Sequence, residues 1–555
     1  MTLPPLNIAY IFAAALPLLV VLYLMIGRNW GGSKAGPAGW ITSLLISVII
    51  FGANIQVIIV ATSRALLLAF FVLYIIWMAL LLYHVVDEAG AIQVIGHELP
   101  GLARDRSSQA LLLGWIFGSF LQGASGFGVP AAVVAPLLVG LGFAANPAVV
   151  IALVGHAWAV TFGSLGSSFF SLVASTGEAG STFAGSSAIL LGLSCFLCGL
   201  AVLWESGRGD AVKKRWGQLL GIGLIMATTQ YALAVAGLWS LAAFGAGLAG
   251  LLFFMLDLQY GLFDVQRWRK RLSRNIGSTY SDKTEQGQSI LSAEPQVPEK
   301  ERPKQNSGSI NRTLAKALVP YLLLTIIVVA GQLFWEESLS FITLDPFFPE
   351  VITSFGWHTP AGPGRAISLF GHAGALLLYT SILSYIWFRW RGTFRGDINY
   401  DFGIIIRKTV KGSTKSTIGI VALVAMAVTM LHAGMTHLLA QGLSIGTGPI
   451  FPFLSPFIGA LGAFMTGSNT NSNVVFGSLQ RETAIALGTS VTLILATQTA
   501  GGAIGSLFAP AKVIVGSSTV DGAEDGQVLK RATIYGLAII VVLGLAGMGL
   551  TLLSR

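Results

Sequence analysis

Long apolar runs set the terms for everything else in this chain. Ile8 to Ile26, Ala65 to Val86, Ile189 to Leu203, Ser240 to Leu256, Ala317 to Leu333 and Tyr535 to Leu553 contain no Asp, Glu, Lys or Arg. Most come close to the roughly 20 residues a helix needs to cross about 30 Å of hydrocarbon at 1.5 Å per residue. Only 10% of the 555 residues are charged, against roughly 25% in an ordinary soluble domain. The fold class that follows is an all-α polytopic membrane protein, with the lipid bilayer as its surroundings.

The charges that remain fall between the runs and orient them. Residues 259–316 hold a cluster from Arg267 to Arg274, then Lys283, Lys300, Arg302, Lys304 and Arg312 among Pro, Ser and Gln. This reads as a polar cytoplasmic linker. It divides the chain into an N-terminal membrane half, 1–258, and a C-terminal half, 317–555. Loops with Lys213, Lys214 and Arg215, and with Arg389 through Lys415, are expected on the same side. The stretch Glu336 to Gly364 carries four acidic residues and is expected outside. Full spans are placed near 8–26, 40–62, 65–86, 147–173, 186–204, 217–237, 239–257, 317–335, 366–388, 416–440, 484–506 and 532–553, about twelve, with both termini outside. Met1 to Asn7 has no basic residue, so the first run reads as a retained helix rather than a removed signal. The net charge of +9 belongs to loops and implies no nucleic acid. Cys195 and Cys198 lie inside an apolar run and read as small helix residues rather than a redox or metal pair.

Two segments break the pattern. Residues 109–142 have two short apolar arms around QGASGFGVP, and 450–483 have two arms around TGSNTNSN. Each reads as a re-entrant hairpin, whose freed backbone groups must line a protein or wet cavity because they cannot face lipid. The breaks share wording: GSFLQGAS at 118–125 and GAFMTGSN at 462–469. About forty residues after each second glycine stand Gly163-Ser164-Leu165 and Gly505-Ser506-Leu507. An internal duplication is expected. With Arg104 and Arg106 placing the start of the first hairpin inside, and the second beginning from the outside, the two copies form inverted repeats. Such paired interruptions point to a transporter's midplane site.

The residue types at the breaks suit a small anion. Helix N-termini offer free N–H groups and partial positive charge; Gly123, Gly126 and Gly128 permit close approach, and Pro130 fits the first turn of a restarting helix. Ser468, Asn469, Thr470, Asn471, Ser472 and Asn473 place six hydrogen-bonding side chains in a row. Substrate contacts are therefore expected from Gln122, Gly123, Ala124, Ser125, Gly126, Gly467, Ser468, Asn469, Thr470, Asn471 and Ser472. Gln122 and Thr466 occupy matching positions. A Gly-rich packing turn with an Asn-rich cap is the alternative, and Na⁺ coordination suits the same geometry. Among His156, His372, His432 and His437, His156 is the best candidate for proton coupling. Lys512 reads either as a substrate counter-ion or, by preference, as a snorkelling loop lysine. Arg481 and Glu482 read as an interfacial pair.

GWIFGSFLQGASGFGVPAAVVAPLLVGLGF, FMTGSNTNSNVVFGSLQ and TAGGAIGSLFAPAKVIVGSS, in this order, resemble the L-lactate permease family. The resemblance implies uptake of L-lactate or a similar monocarboxylate such as glycolate, coupled to H⁺, across the bacterial inner membrane, on a scaffold and a moving transport domain that carry paired hairpins. The family commonly has glutamate where this chain has Gln122 and aspartate where it has Asn469. Coupling through His156, coupling to Na⁺, or another small organic anion as substrate are the alternatives those departures open. A homo-oligomer is compatible with the family. No cofactor or metal is expected beyond the coupling ion. A membrane-embedded enzyme would need a nucleophile with its base, a metal set or paired acids, and no HExxH or GxSxG occurs; a channel or sensor would need a pore repeat or an output domain.

Overall fold

The computed structural model describes residues 6–28, 30–98, 103, 105–126, 128–260, 307–333, 336–394 and 400–554. Most of the expected linker, together with Arg104 and Arg395, lies outside the described residues. Eight described helices are long and apolar enough to cross a membrane, or nine if one bent pair counts as a single span. The chain is helical and polytopic, but its spans differ from the expected twelve in instructive ways.

Helices α1 (Ile8–Leu22) and α2 (Gly32–Ile49) come first, then α3 (Ile55–Glu88). No continuous span covers 40–62: the chain turns at 50–54, where Gly52 adopts φ +67° and Asn54 caps α3 by accepting from Val57 N at 3.0 Å. The turn is pinned by the acidic loop, since Ser354 N donates to the Gly52 carbonyl and Asn54 Nδ2 to the Ile352 carbonyl. Short α4 (Ala91–Glu98) leads to the first interrupted arm. That arm comprises α5 (Arg106–Gln109), a π-helical stretch Ala110–Phe117 and α6 (Gly118–Ala124). After the break come α7 (Val129–Gly140), α8 (Ala145–Gly155) and α9 (Gly163–Thr176), the last two bent by 51°.

The expected spans 186–204 and 217–237 are the two arms of α10 (Gly180–Val235), folded back on each other so that Gly185 faces Val235, Gly192 faces Ala227 and Gly199 faces Leu219. Helix α10 departs from helical geometry at Gly207 and at Arg208, φ +53°. The basic residues just beyond form no loop. Lys214 and Arg215 instead pair with Asp105, which puts the start of the first arm beside them. Helix α11 (Trp239–Tyr260) follows.

In the second half α12 (Ser307–Leu333) begins inside the stretch expected to be linker. Short α13 (Glu336–Leu339) opens the acidic loop, whose three two-residue antiparallel ladders nest: 343–344 with 367–368, 347–348 with 362–363, and 351–352 with 358–359. Then come α14 (Ala373–Arg391), α15 (Phe402–His432), α16 (Met435–Thr447), α17 (Phe451–Thr466), α18 (Asn469–Ala486), α19 (Val491–Gly505), α20 (Pro510–Ser517) and α21 (Asp525–Leu553).

Close helix crossings hold the interrupted segments together. A Cβ at Gly501 would strike the Pro456 backbone and one at Gly459 the Gln498 carbonyl, so α17 and α19 touch backbone to backbone. The matching pair in the first half is Gly114 against Gly155. Helices α9 and α18 run side by side in the same direction: Ser168 Oγ lies 3.0 Å from Thr470 Oγ1, Ser175 Oγ donates to the Asn473 carbonyl at 3.1 Å, and Glu178 pairs with Arg481 at 2.6 Å. Gly501→Ala should therefore lower the detergent melting temperature, because overpacking a crossing costs about 1–3 kcal/mol. Gly526→Ala, where a Cβ meets nothing within 4 Å, should leave it unchanged or raise it slightly; equal behaviour of the two variants in a thermal-shift assay would contradict this packing.

Candidate functional site

Four helices are interrupted near one another, each by a different local device. In the first arm, Ser125 leaves helical geometry and Gly126 and Gly128 take positive φ before α7 restarts with Pro130 in its first turn. In the first turn of α9, three successive residues, Ser164, Leu165 and Gly166, occupy the left-handed region at φ +48°, +56° and +82°. For Ser and Leu that conformation is strained, at a cost on the order of 1–2 kcal/mol each. In the second arm only Gly467, φ +70°, and Ser468 are non-helical. The polar run from Asn469 onward, expected as irregular chain, is the first turns of α18, with Ser468 as N-cap accepting from Asn471 N. The fourth interruption is the 3-10 turn Ser506–Phe508, after which Pro510 opens α20.

These interruptions enclose one cavity of about 240 Å³. Gln122 and Gly128 reach it from the first copy, and Thr466, Gly467, Ser468, Asn469, Thr470 and Asn471 from the second. First-turn residues of α18 and α20 line it, and Gly128 brings the start of α7. Three helix N-termini thus present partial positive charge to the same space. Among the described lining residues Lys512 is the one that ionises, and none of them is a carboxylate. Lys512 is half-buried and its Nζ donates to Ser506 Oγ at 2.8 Å. Its placement goes against the preference for a snorkelling loop lysine. Sequence reasoning also missed Ser164, Ser167 and Ser168, which line the cavity from α9; the repeated Gly-Ser-Leu triplet marked that segment as duplicated, without marking it as wall.

The remaining expected contacts stand behind the wall. Gly123 packs against the Phe244 backbone, and Ser125 Oγ donates to the Leu121 carbonyl. Ala124 is buried, Gly126 abuts Ser164 Oγ, and Ser472 Oγ donates to the Gly459 carbonyl at 2.6 Å. None of these five lines the cavity, nor does His156. His156 sits at the end of α8, buried, with Nδ1 2.6 Å from the Ala152 carbonyl. His372 caps α14, while His432 and His437 hydrogen-bond within their own helices. Arg481 binds both Glu178 and Glu482 at 2.6 Å, so the expected pair is a three-residue link between α9 and α18. Cys195 and Cys198 are free and buried in α10.

Behind the cavity a buried amide and hydroxyl network joins the two halves. Asn469 Nδ2 donates to Thr161 Oγ1 and to the Thr499 carbonyl, both at 3.2 Å; Asn473 Nδ2 donates to the Ser168 carbonyl at 2.8 Å and to Thr499 Oγ1 at 2.9 Å. Thr161 Oγ1 in turn donates to the Thr499 carbonyl at 3.0 Å. Three amide oxygens in this region, Gln122 Oε1, Asn469 Oδ1 and Asn473 Oδ1, are buried without a partner.

The profile of the L-lactate permease family matches residues 10–553. The chain belongs to that family. It is 27% identical to the L-lactate permease of Bacillus subtilis (strain 168) over 550 residues, covering 94% of this chain and 92% of the relative. It is also 27% identical to the glycolate permease GlcA of Escherichia coli (strain K12) over 551 residues, covering 96% and 94%. The solved structure of the Alcanivorax borkumensis YdaH transporter aligns with a TM-score of 0.41 and 13% identity over 86% of this chain and 85% of its own, a likeness too loose to carry topology. Membership makes this chain a permease of that family.

Thr499→Val tests the network. It removes the hydroxyl that accepts from Asn473 and leaves that buried amide short of a partner, at a cost of about 1–3 kcal/mol. The expected result is a lower melting temperature than wild type, with lipid-exposed Thr228→Val unchanged; a T499V protein as stable as T228V would show that the network does not join the halves.

Proposed function

We propose that this chain is a secondary active transporter that imports L-lactate or a similar small monocarboxylate such as glycolate across the bacterial inner membrane by cation symport. The observation that carries this reading is the single cavity shared by both helix breaks, with three helix N-termini, a row of hydroxyls and amides and one lysine around it. Its 240 Å³ is below the roughly 300–1,000 Å³ of drug-sized pockets, a size suited to a two- or three-carbon acid. The parallel course of α9 and α18 supports inverted repeats. In two copies of the same orientation, α18, which corresponds to α7, would run against α9 rather than with it.

The substrate's carboxylate is held by N–H and O–H donors at the breaks, and alternating access follows from rocking one set of interrupted helices against the rest. Two couplings are open to this site. A proton needs a titratable carrier, and no carboxylate lines the cavity, because Gln122 and Asn469 are amides. Sodium needs oxygens, and Gln122 Oε1, Asn469 Oδ1 and Asn473 Oδ1 are buried acceptors without partners.

Proteoliposomes holding the purified full chain separate these. Labelled L-lactate and glycolate should accumulate when an inward gradient of H⁺ or of Na⁺ is imposed, and whichever gradient works names the ion; uptake indifferent to both would sink the symport reading. Ser468→Ala should raise KM by roughly fivefold, the effect of losing about 1 kcal/mol at one donor, and an unchanged KM would remove the second break from the site.

A further inference from the structure

We propose that Lys512 is both the counter-charge of the bound carboxylate and the carrier of the coupling proton. The assignment rests on the transporter reading above and goes beyond it by naming the residue that couples.

The geometry comes first. Lys512 stands in the first turn of α20, after the fourth interruption, on the wall of the cavity that both hairpin breaks share. Its ammonium donates to Ser506 Oγ at 2.8 Å, whose own hydroxyl proton goes to the Ala503 carbonyl. Two of its three N–H donors are therefore left for a ligand. No carboxylate lies within ion-pair distance of it among the described residues. The elements packed on α20 add no acid that faces it. Helices α7 and α8 and the 506–508 turn contain no titratable side chain, and the nearby His156 closes α8. From α21, Arg531 and Tyr535 are engaged with Glu205, while Asp525 and Lys530 do not line the cavity. A cation without a fixed anion, in a small cavity whose other walls are hydroxyls, amides and apolar side chains, is completed by an anionic guest.

The same arrangement meets the charge problem of the cycle. With the carboxylate bound to an ammonium, the loaded cavity is neutral and reorients without carrying net charge. After release inside, one Nζ–H bond breaks, its electron pair stays on nitrogen and the proton passes to internal water. The neutral amine returns to the outside, takes a proton from external water and receives the next carboxylate. Each turn moves one carboxylate and one proton inward, and no net charge. Gln122 and Asn469, as amides, need no protonation in this scheme.

The test uses the full chain in proteoliposomes with labelled L-lactate and two assays. Exchange of lactate between equal internal and external pools never requires the empty carrier to return, so it needs the charge of Lys512 but not its deprotonation. Accumulation driven by an inward proton gradient needs both. Lys512→Arg keeps a charge that cannot be shed, so accumulation should fall at least tenfold more than exchange; Lys512→Gln should lose at least tenfold in exchange itself. Wild-type exchange should also decline as both compartments are made alkaline, a readout that does not depend on how the variants fold. Proton-driven accumulation by K512R in wild-type proportion to exchange, undiminished exchange by K512Q, or wild-type exchange flat into alkaline pH would each overturn the assignment. A wild type that exchanges neither lactate nor glycolate would instead overturn the transporter reading.

Discussion

A peptide group that leaves helical geometry inside hydrocarbon costs several kcal/mol unless another partner is supplied. Among the described residues four interruptions lie near one another, and the rest of the structure follows from how they are accommodated. They are gathered around one cavity, so that groups released from one helix face polar side chains of another: Ser468 caps α18, Thr161 and Thr499 bind across the two halves, and Lys512 binds the turn that precedes it. Gathering them also aligns three helix N-termini on the same space, where each presents partial positive charge. The constraint that forbids exposed backbone is thus the one that builds the site.

The two copies meet this constraint differently. In the second, Ser506 keeps right-handed geometry in a 3-10 turn, and Gly467 alone supplies the positive φ. In the first, Ser164 and Leu165 are forced into the left-handed region beside Gly166. Buried neighbours hold that strain in place, since Phe169 N returns to the Thr161 carbonyl and Gly166 N to that of Phe162. Strain stored in one copy and not in the other means the duplicated segments are no longer equivalent walls: the first contributes serines to the cavity, the second a lysine. The backbone-close glycine crossings at Gly114 with Gly155 and at Gly459 and Gly501 keep each interrupted arm seated against its partner helix, as the close approach of small residues does in membrane bundles generally.

Much of the fold was legible because hydrocarbon filters composition so strongly. Apolar length marked the spans, Pro130 marked a restarting helix, and the shared glycine wording marked the two breaks. Legibility failed where one run could be cut in several places. Residues 40–62 carry no charged side chain, and the turn at Gly52 is decided by the acidic loop seated on it through Ser354. The basic cluster at Lys213 resembled a loop because charge is rare here, yet it is helical: the break is confined to Gly207 and Arg208, and Asp105 pairs with Lys214 and Arg215 just beyond it. The polar run after Ser468 resembled irregular chain because no apolar period remained; its side chains are helical and face a partner helix instead.

What the sequence determined by itself was the class and the place of the two interruptions, because each depends on residues close together in the chain. Only the tertiary structure decided that Gln122 and Asn469 border one cavity, that Gly123 and Ser472 belong to its supports, and that Lys512 turns inward. Those are relations between segments up to about 390 residues apart in sequence, set by the packing of α7, α9, α18 and α20 on one another. Spacing along a chain holds no information about which break will sit opposite which lysine; that is fixed by how the helices close around the space their own interruptions leave.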